Sequence, residues 1–205
     1  MVPVISIVGR AETGKTTLME KLIGELGGRG YRVATVKHAP QGASIDEPGK
    51  DSWRHLQAGS QAAAVASKDR VVLIKPAQAP KLDDIMPLFG DDYDIVLAEG
   101  FKGGDAPKIE VHRKEIGPPL DKVSKLFAIV TDEPLETEVR QFSPQDIKGL
   151  ADLVETGFLD TAKDRLSLYV NKAPVTMSGF PREVVANIVL ALASSLKGEI
   201  GRAHV

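Results

Sequence analysis

The chain has 205 residues, with 26 Lys and Arg against 28 Asp and Glu, a net charge of −2, and 42% hydrophobic residues. These values exclude a disordered chain and give no bulk positive charge for nucleic-acid binding, and the length suits one domain or one domain with an appendage. There is no cysteine, so disulfides and thiolate metal sites are excluded; no apolar run approaches the ~20 residues of a membrane span and no signal peptide is recognisable, so a cytoplasmic location is expected.

Residues 2–8 form a short apolar run rich in β-branched side chains and bounded by Gly9, which reads as a buried strand. Residues 15–26 carry Leu18, Met19, Leu22, Ile23 and Leu26 at helical offsets, with Gly27-Gly28 as the stop. A second strand is predicted at 32–36, a short helix at 52–58, and strands at 62–66 and 70–74 around a polar turn at Lys68-Asp69. The pattern continues with a helix at 82–88 and strands at 94–98, 109–112 and 126–131. Ser143-Pro144-Gln145-Asp146 has helix-start chemistry, and that helix should run to about residue 155.

Strands alternating with helices predict an α/β fold with a mostly parallel sheet flanked by helices. The end of the chain differs. Leu166, Leu168 and Val170 alternate with polar residues, 171–174 is turn-like, and 175–177 is expected to pair back. Residues 181–197 then predict a helix with the stripe Val184, Val185, Ile188, Val189, Leu192 and Leu196, closed by Gly198. The expected organisation is a nucleotide-binding domain over 1–160 and a hairpin-plus-helix extension over 161–205.

Gly9-Arg10-Ala11-Glu12-Thr13-Gly14-Lys15-Thr16 matches G-x-x-x-x-G-K-[ST] in full, between a predicted strand and a predicted helix. Glycines let the backbone curl so that its N–H groups face phosphate oxygens, and the helix N-terminus adds a positive dipole end. Lys15 supplies a point charge to the β- and γ-phosphates, and Thr16 offers a hydroxyl to Mg²⁺. This loop predicts a P-loop NTPase-like fold. Asp94-Ile95-Val96-Leu97-Ala98-Glu99-Gly100 is an apolar strand ending in an acid, which places Glu99 to order water around the metal.

Lys37-His38 follows the second strand at the same sheet edge, where both face phosphate or simply end a solvated strand. Asp51 is either a helix cap or a residue facing the metal or a substrate, and Arg54, one turn on, can pair with an acid or a phosphate. Lys102-Gly103-Gly104 is a basic glycine loop suited to anion contact. His112 and Arg113 end the next strand and read as a solvated rim. Asp132, after the strand at 126–131, is a candidate to accept the N1 and N2 donors of guanine.

These elements together resemble one family. The residues are 9–17 (the loop and Thr17), Val36-Lys37-His38, Gly49-Lys50-Asp51-Ser52 with Arg54, and Ala58-Gly59. Leu97-Ala98-Glu99-Gly100-Phe101-Lys102 and Pro107-Lys108-Ile109-Glu110-Val111 complete the set. In order and spacing, over roughly 3–131, they are similar to the MobB family of molybdopterin-guanine dinucleotide biosynthesis proteins. The resemblance implies a GTP-binding accessory protein with weak GTP hydrolysis, typically a homodimer. Its partner would be a MobA-type nucleotidyltransferase, with molybdopterin or its guanine dinucleotide as a possible further ligand. By the same resemblance, residues 9–17 would hold the GTP phosphates, and Lys15, Thr16, Asp51 and Glu99 would form the catalytic and Mg²⁺ centre. Lys37, His38, Arg54 and Lys102 would line the adjoining pocket. This chain has Ala39-Pro40-Gln41-Gly42 where family members often carry a further histidine or acid, and its tail resembles a longer subgroup. The residues alone also fit a P-loop small-molecule kinase, with Asp51 as base, or a non-hydrolysing nucleotide-dependent binding module.

Overall fold

The structure is a computed structural model describing residues 2–40, 42, 46–90, 92–159, 168–170, 173–175, 184, 185 and 187–189. They fall into two compact units, one of residues 2–151 and one from 152 onward.

The first unit is built on a six-stranded sheet. Its strands are β1 (Val4–Val8), β2 (Val33–Lys37), β5 (Ile95–Glu99), β6 (Lys108–Val111), β7 (Leu126–Val130) and β8 (Arg140–Phe142), in the spatial order β2-β5-β1-β6-β7-β8. All five pairings are parallel. Ile5, Ile7, Val8, Ile95, Val96, Leu97, Ala98 and Ile109 are buried, as expected of central parallel strands covered on both faces. β2 and β5 lie on one side of β1 and β6, β7 and β8 on the other. The sheet therefore changes direction of growth at β1, and ligands of open α/β sheets bind at the carboxyl ends of strands at such a point.

Helix α1 (Lys15–Gly28) follows β1 and buries Leu18, Met19, Leu22 and Leu26. It runs through Gly27-Gly28, beyond the expected stop. The left-handed residue that ends it is Gly30 (φ 92°), and the Tyr31 N–H reaches back to Leu26 O at 3.1 Å. The expected helix at 82–88 is split: α3 (Leu82–Ile85) gives way to a 3₁₀ turn, Met86–Leu88, in which Pro87 has no N–H to donate. The short helix α2 spans Asp51–Gln57.

β3 (Ala63–Ala66) and β4 (Val71–Ile74) do not join the main sheet. They pair antiparallel as a separate hairpin, whose turn is closed by Ser67 N–H to Arg70 O at 2.9 Å and Ser67 Oγ to Asp69 at 2.8 Å. Helix α4 (Ile147–Val154) starts later than Ser143. Ser143 Oγ instead accepts from Gln145 N–H in the preceding turn, and Asp146 Oδ1 takes the Gly149 N–H at 3.0 Å, so Asp146 is the cap.

The second unit begins in the last turn of α4 and continues as a π-helical turn, Glu155–Leu159. Its strands β9 (Leu168–Val170) and β10 (Ala173–Val175) pair antiparallel, with Ala173 opposite Val170, so pairing starts two residues before the expected strand at 175–177. Residues 184, 185 and 187–189 are helical; the rest of the expected helix over 181–197, its Gly198 stop, Leu166 and Met177 lie outside the described residues.

Candidate functional site

The carboxyl end of β1 leads into the glycine loop. Gly9 has φ 152°, and a Cβ there would overlap Val111 O and sit 2.9 Å from Thr13 Oγ1, so a larger residue cannot enter. Glu12 (φ 64°) and Gly14 (φ 88°) take left-handed conformations that curl the backbone. Thr13 is buried and donates from Oγ1 to Arg10 O at 3.0 Å, bracing the curl. No side chain caps α1, which leaves its first-turn N–H groups for an anion.

Lys15 folds back over the loop, donating to Gly9 O at 3.2 Å and Arg10 O at 2.5 Å. Burial lowers its pKa, against the opposing pull of Glu99; Lys37 adds to the lowering. The next residue, Thr16, donates from Oγ1 to Glu99 Oε2 at 3.1 Å, and Lys37 Nζ lies 3.3 Å from Glu99 Oε1. Sheet register brings these groups together, because Glu99 pairs with Ile7 of β1 on one side and Lys37 of β2 on the other. One carboxylate thus bridges the loop hydroxyl and a lysine. Its side chain is only 14% exposed.

His38 continues β2, donating its N–H to Glu99 O at 2.9 Å, and its ring lies 4.7 Å from that of Phe101. Gly100 (φ 95°) lets the chain pass close to His38: a Cβ there would lie 3.0 Å from His38 Cβ. Beyond it, the 100–106 loop opens onto a cleft of about 980 Å³ lined by Gly9, His38, Phe101, Lys102, Lys81 and Asp83, among others.

The remaining sequence-derived residues are placed as follows. Arg10 reaches away from the loop to donate to Pro118 O at 2.8 Å. Ala11 and Thr17 are exposed. Asp51 and Arg54 form an ion pair of 3.7 Å on α2, both largely exposed, while Ser52 donates to Asp46 at 2.8 Å. The contacts that join Lys15, Thr16, Lys37 and Glu99 therefore do not include Asp51 or Arg54. Among the described residues, no group of three or more His, Asp or Glu side chains is gathered for a metal. The hydroxyl of Thr16 and the carboxylate of Glu99 suit Mg²⁺, which accepts few protein ligands and keeps phosphate oxygens and water around it. Asp132 Oδ1 accepts the Lys114 N–H at 3.0 Å, which, foremost among its causes, depresses its pKa.

Sequence reasoning gave Lys108 and Glu110 no role of their own and expected His112 at a solvated rim, which the structure corrects. Lys108, Glu110 and His112 are buried. Lys108 Nζ donates to Gly104 O (2.6 Å), Ala106 O (3.0 Å) and Ser124 O (3.1 Å). Glu110 Oε1 accepts from Leu120 N–H at 2.6 Å, and the ring of His112 lies between Thr131 Oγ1 and Gly117 O, each at 3.0 Å. The available signal was the alternation Lys108, Glu110, His112, which puts all three on one face of the strand.

A strand, a glycine loop matching the full phosphate-binding pattern, an uncapped helix N-terminus and an acid on the adjacent parallel strand define a P-loop NTPase-like fold. The family model described as "Molybdopterin guanine dinucleotide synthesis protein B" matches residues 4–132, and the chain belongs to this MobB family. It is 38% identical to a molybdopterin-guanine dinucleotide biosynthesis adapter protein of Haemophilus influenzae, over 75% of this chain and 88% of that one. The adapter protein of Escherichia coli is 33% identical, over 75% and 92%. Among solved structures, a MobB homologue from Bacillus stearothermophilus aligns with a TM-score of 0.57 at 27% identity, covering 76% of this chain and 97% of that one. Among the described residues, no helix is long and apolar enough to cross a membrane.

Proposed function

We propose that this chain is a GTP-binding adapter in the assembly of molybdopterin guanine dinucleotide, working in the cytoplasm as a homodimer beside a MobA-type nucleotidyltransferase. The observation that carries the nucleotide part is the bridge from Thr16 through Glu99 to Lys37 beside a fully formed phosphate loop. Loop N–H groups and Lys15 hold the phosphates. Thr16 and Glu99 hold Mg²⁺, which when bound neutralises phosphate charge. Glu99 also orients water, and hydrolysis is slow because the contacts at this centre include no second acid to position that water. The cleft beside Gly9, with its His38–Phe101 ring pair and Lys102, offers stacking and charge to a phosphorylated heteroaromatic partner such as molybdopterin.

The test is calorimetric titration of the pure protein with GTP and with ATP, each with Mg²⁺, alongside Lys15→Ala. GTP should bind more tightly than ATP, and the variant should lose at least roughly tenfold in affinity while unfolding like wild type. Equal or tighter ATP binding would sink the guanine assignment and bring the small-molecule kinase forward. Unchanged GTP affinity in a folded Lys15→Ala protein would remove the phosphate site itself.

A further inference from the structure

We propose that Arg113 binds the nucleotide at the α-phosphate end of the phosphate chain, on the side of the loop opposite Glu99. The inference rests on the phosphate-loop reading above and adds a residue to that site. β6 pairs with β1 on the side away from β5, with Val8 opposite Glu110. Its carboxyl end therefore runs alongside the loop. Val111 O meets the first loop glycine, Gly9, and two residues on the guanidinium of Arg113 meets the second, with Nη2 3.6 Å from where a Cβ of Gly14 would stand. Arg113 keeps an extended backbone (φ −136°, ψ 130°), so strand alternation continues through it and it shares a face with Ile109 and Val111.

The side chain is held close to the loop but is not consumed by another partner. Its hydrogen bond, from Nη1 to His112 O, is long at 3.5 Å. Among the described residues no carboxylate lies within ion-pair distance of it. The strand end beneath it is fixed by buried His112, which is 3% exposed and held on both ring nitrogens. A guanidinium with its donors open, anchored against a phosphate cradle, suits a phosphate oxygen pair.

The direction of the nucleotide follows from the sheet. Thr16 and Glu99 mark the metal end of the triphosphate on the β5 side. Gly14 and Lys15 follow β1 directly, and Lys15 folds back onto Gly9 O and Arg10 O, which assigns the middle of the chain of phosphates to this point. A linear triphosphate crossing β1 from β5 therefore presents its α-phosphate and nucleoside toward β6. Arg113 waits there, and GTP and GDP both carry that phosphate.

The experiment compares Mg²⁺-GTP and GDP affinities of wild type, Arg113→Gln and Arg113→Lys by calorimetry, with thermal unfolding of each. Arg113→Gln should weaken GTP and GDP by the same factor, at least about tenfold, as loss of charge-assisted bonds implies. Arg113→Lys, which keeps the charge and loses the planar fork, should fall between. Weakened GTP with unchanged GDP would overturn the α-phosphate assignment, and unchanged affinity for both would overturn the contact. If Arg113→Gln does not fold, Arg113→Lys decides by the same GTP and GDP comparison. Failure of wild type to bind either nucleotide would remove the phosphate-loop reading and this inference with it. Loss of binding in Lys15→Ala alone would overturn only the role of Arg113.

Discussion

Glu99 is the residue on which two strands and the loop converge. Thr16 donates to one of its oxygens and Lys37 faces the other, so both oxygens are engaged at the carboxyl end of β5. Glu99→Gln keeps the side-chain shape and an acceptor for Thr16 but removes the charge. GTP hydrolysis should fall at least about tenfold, while GTP affinity changes less. Single-turnover rates set beside calorimetric affinities check this; an unaltered rate would show that Glu99 neither holds metal nor orders water. Its meeting with Thr16 was legible from an apolar run ending in an acid. The pairing with Lys37 was not, because it follows from β2 lying next to β5, a register between segments about sixty residues apart.

At the scale of elements, β6 does more than extend the sheet. Lys108 is fully buried, and its ammonium gathers carbonyls from the 100–107 loop and from Ser124, tying the floor of the cleft to the start of β7. Burial lowers its pKa, with Lys125 acting in the same direction. Lys108→Met fills a similar volume but leaves those carbonyls without their donor. It should destabilise the protein by about 1–3 kcal/mol, read as a lower urea midpoint. An unchanged midpoint would mean that the carbonyls find other donors. Elements with strong local patterns, β1, α1 and β5, were legible within one or two residues. β8 was not: it has three residues, two of them exposed, and owes its existence to the edge of β7. Likewise β3 and β4 read as strands, but only pairing could show that they turn onto each other and leave the main sheet.

The whole molecule carries a pH dependence from the same strand. Burial raises the pKa of Glu110; the Leu120 N–H, His112 and Arg10 oppose that rise. Among the described residues, its Oε2 has no hydrogen-bond partner. A carboxyl whose folded pKa lies above its unfolded value of about 4.3 favours the folded state when protonated. That contribution is complete below the unfolded value and is lost as pH rises through the folded one. Glu110→Gln lacks the titration. The stability of wild type minus that of the variant should therefore decrease from acid toward neutral pH, measured by chemical unfolding across a pH series. A difference that stays flat would mean the carboxyl is not held in this environment.

The sequence by itself determined the phosphate loop, the alternation of strands and helices, and the family, because each is written in short motifs that follow one another in a fixed order along the chain. A glycine pattern encodes backbone curl, and period-two or helical hydrophobic spacing encodes a face to be buried. Only the tertiary structure decided which side of β1 each strand joins. That order sets Glu99 and Lys37 on one flank of the loop and Arg113 on the other. The same order turns Lys108 and Glu110 from surface-like residues into buried ones. Strand order and parallel register are choices among distant segments, made by the burial of whole faces, and no local pattern records them.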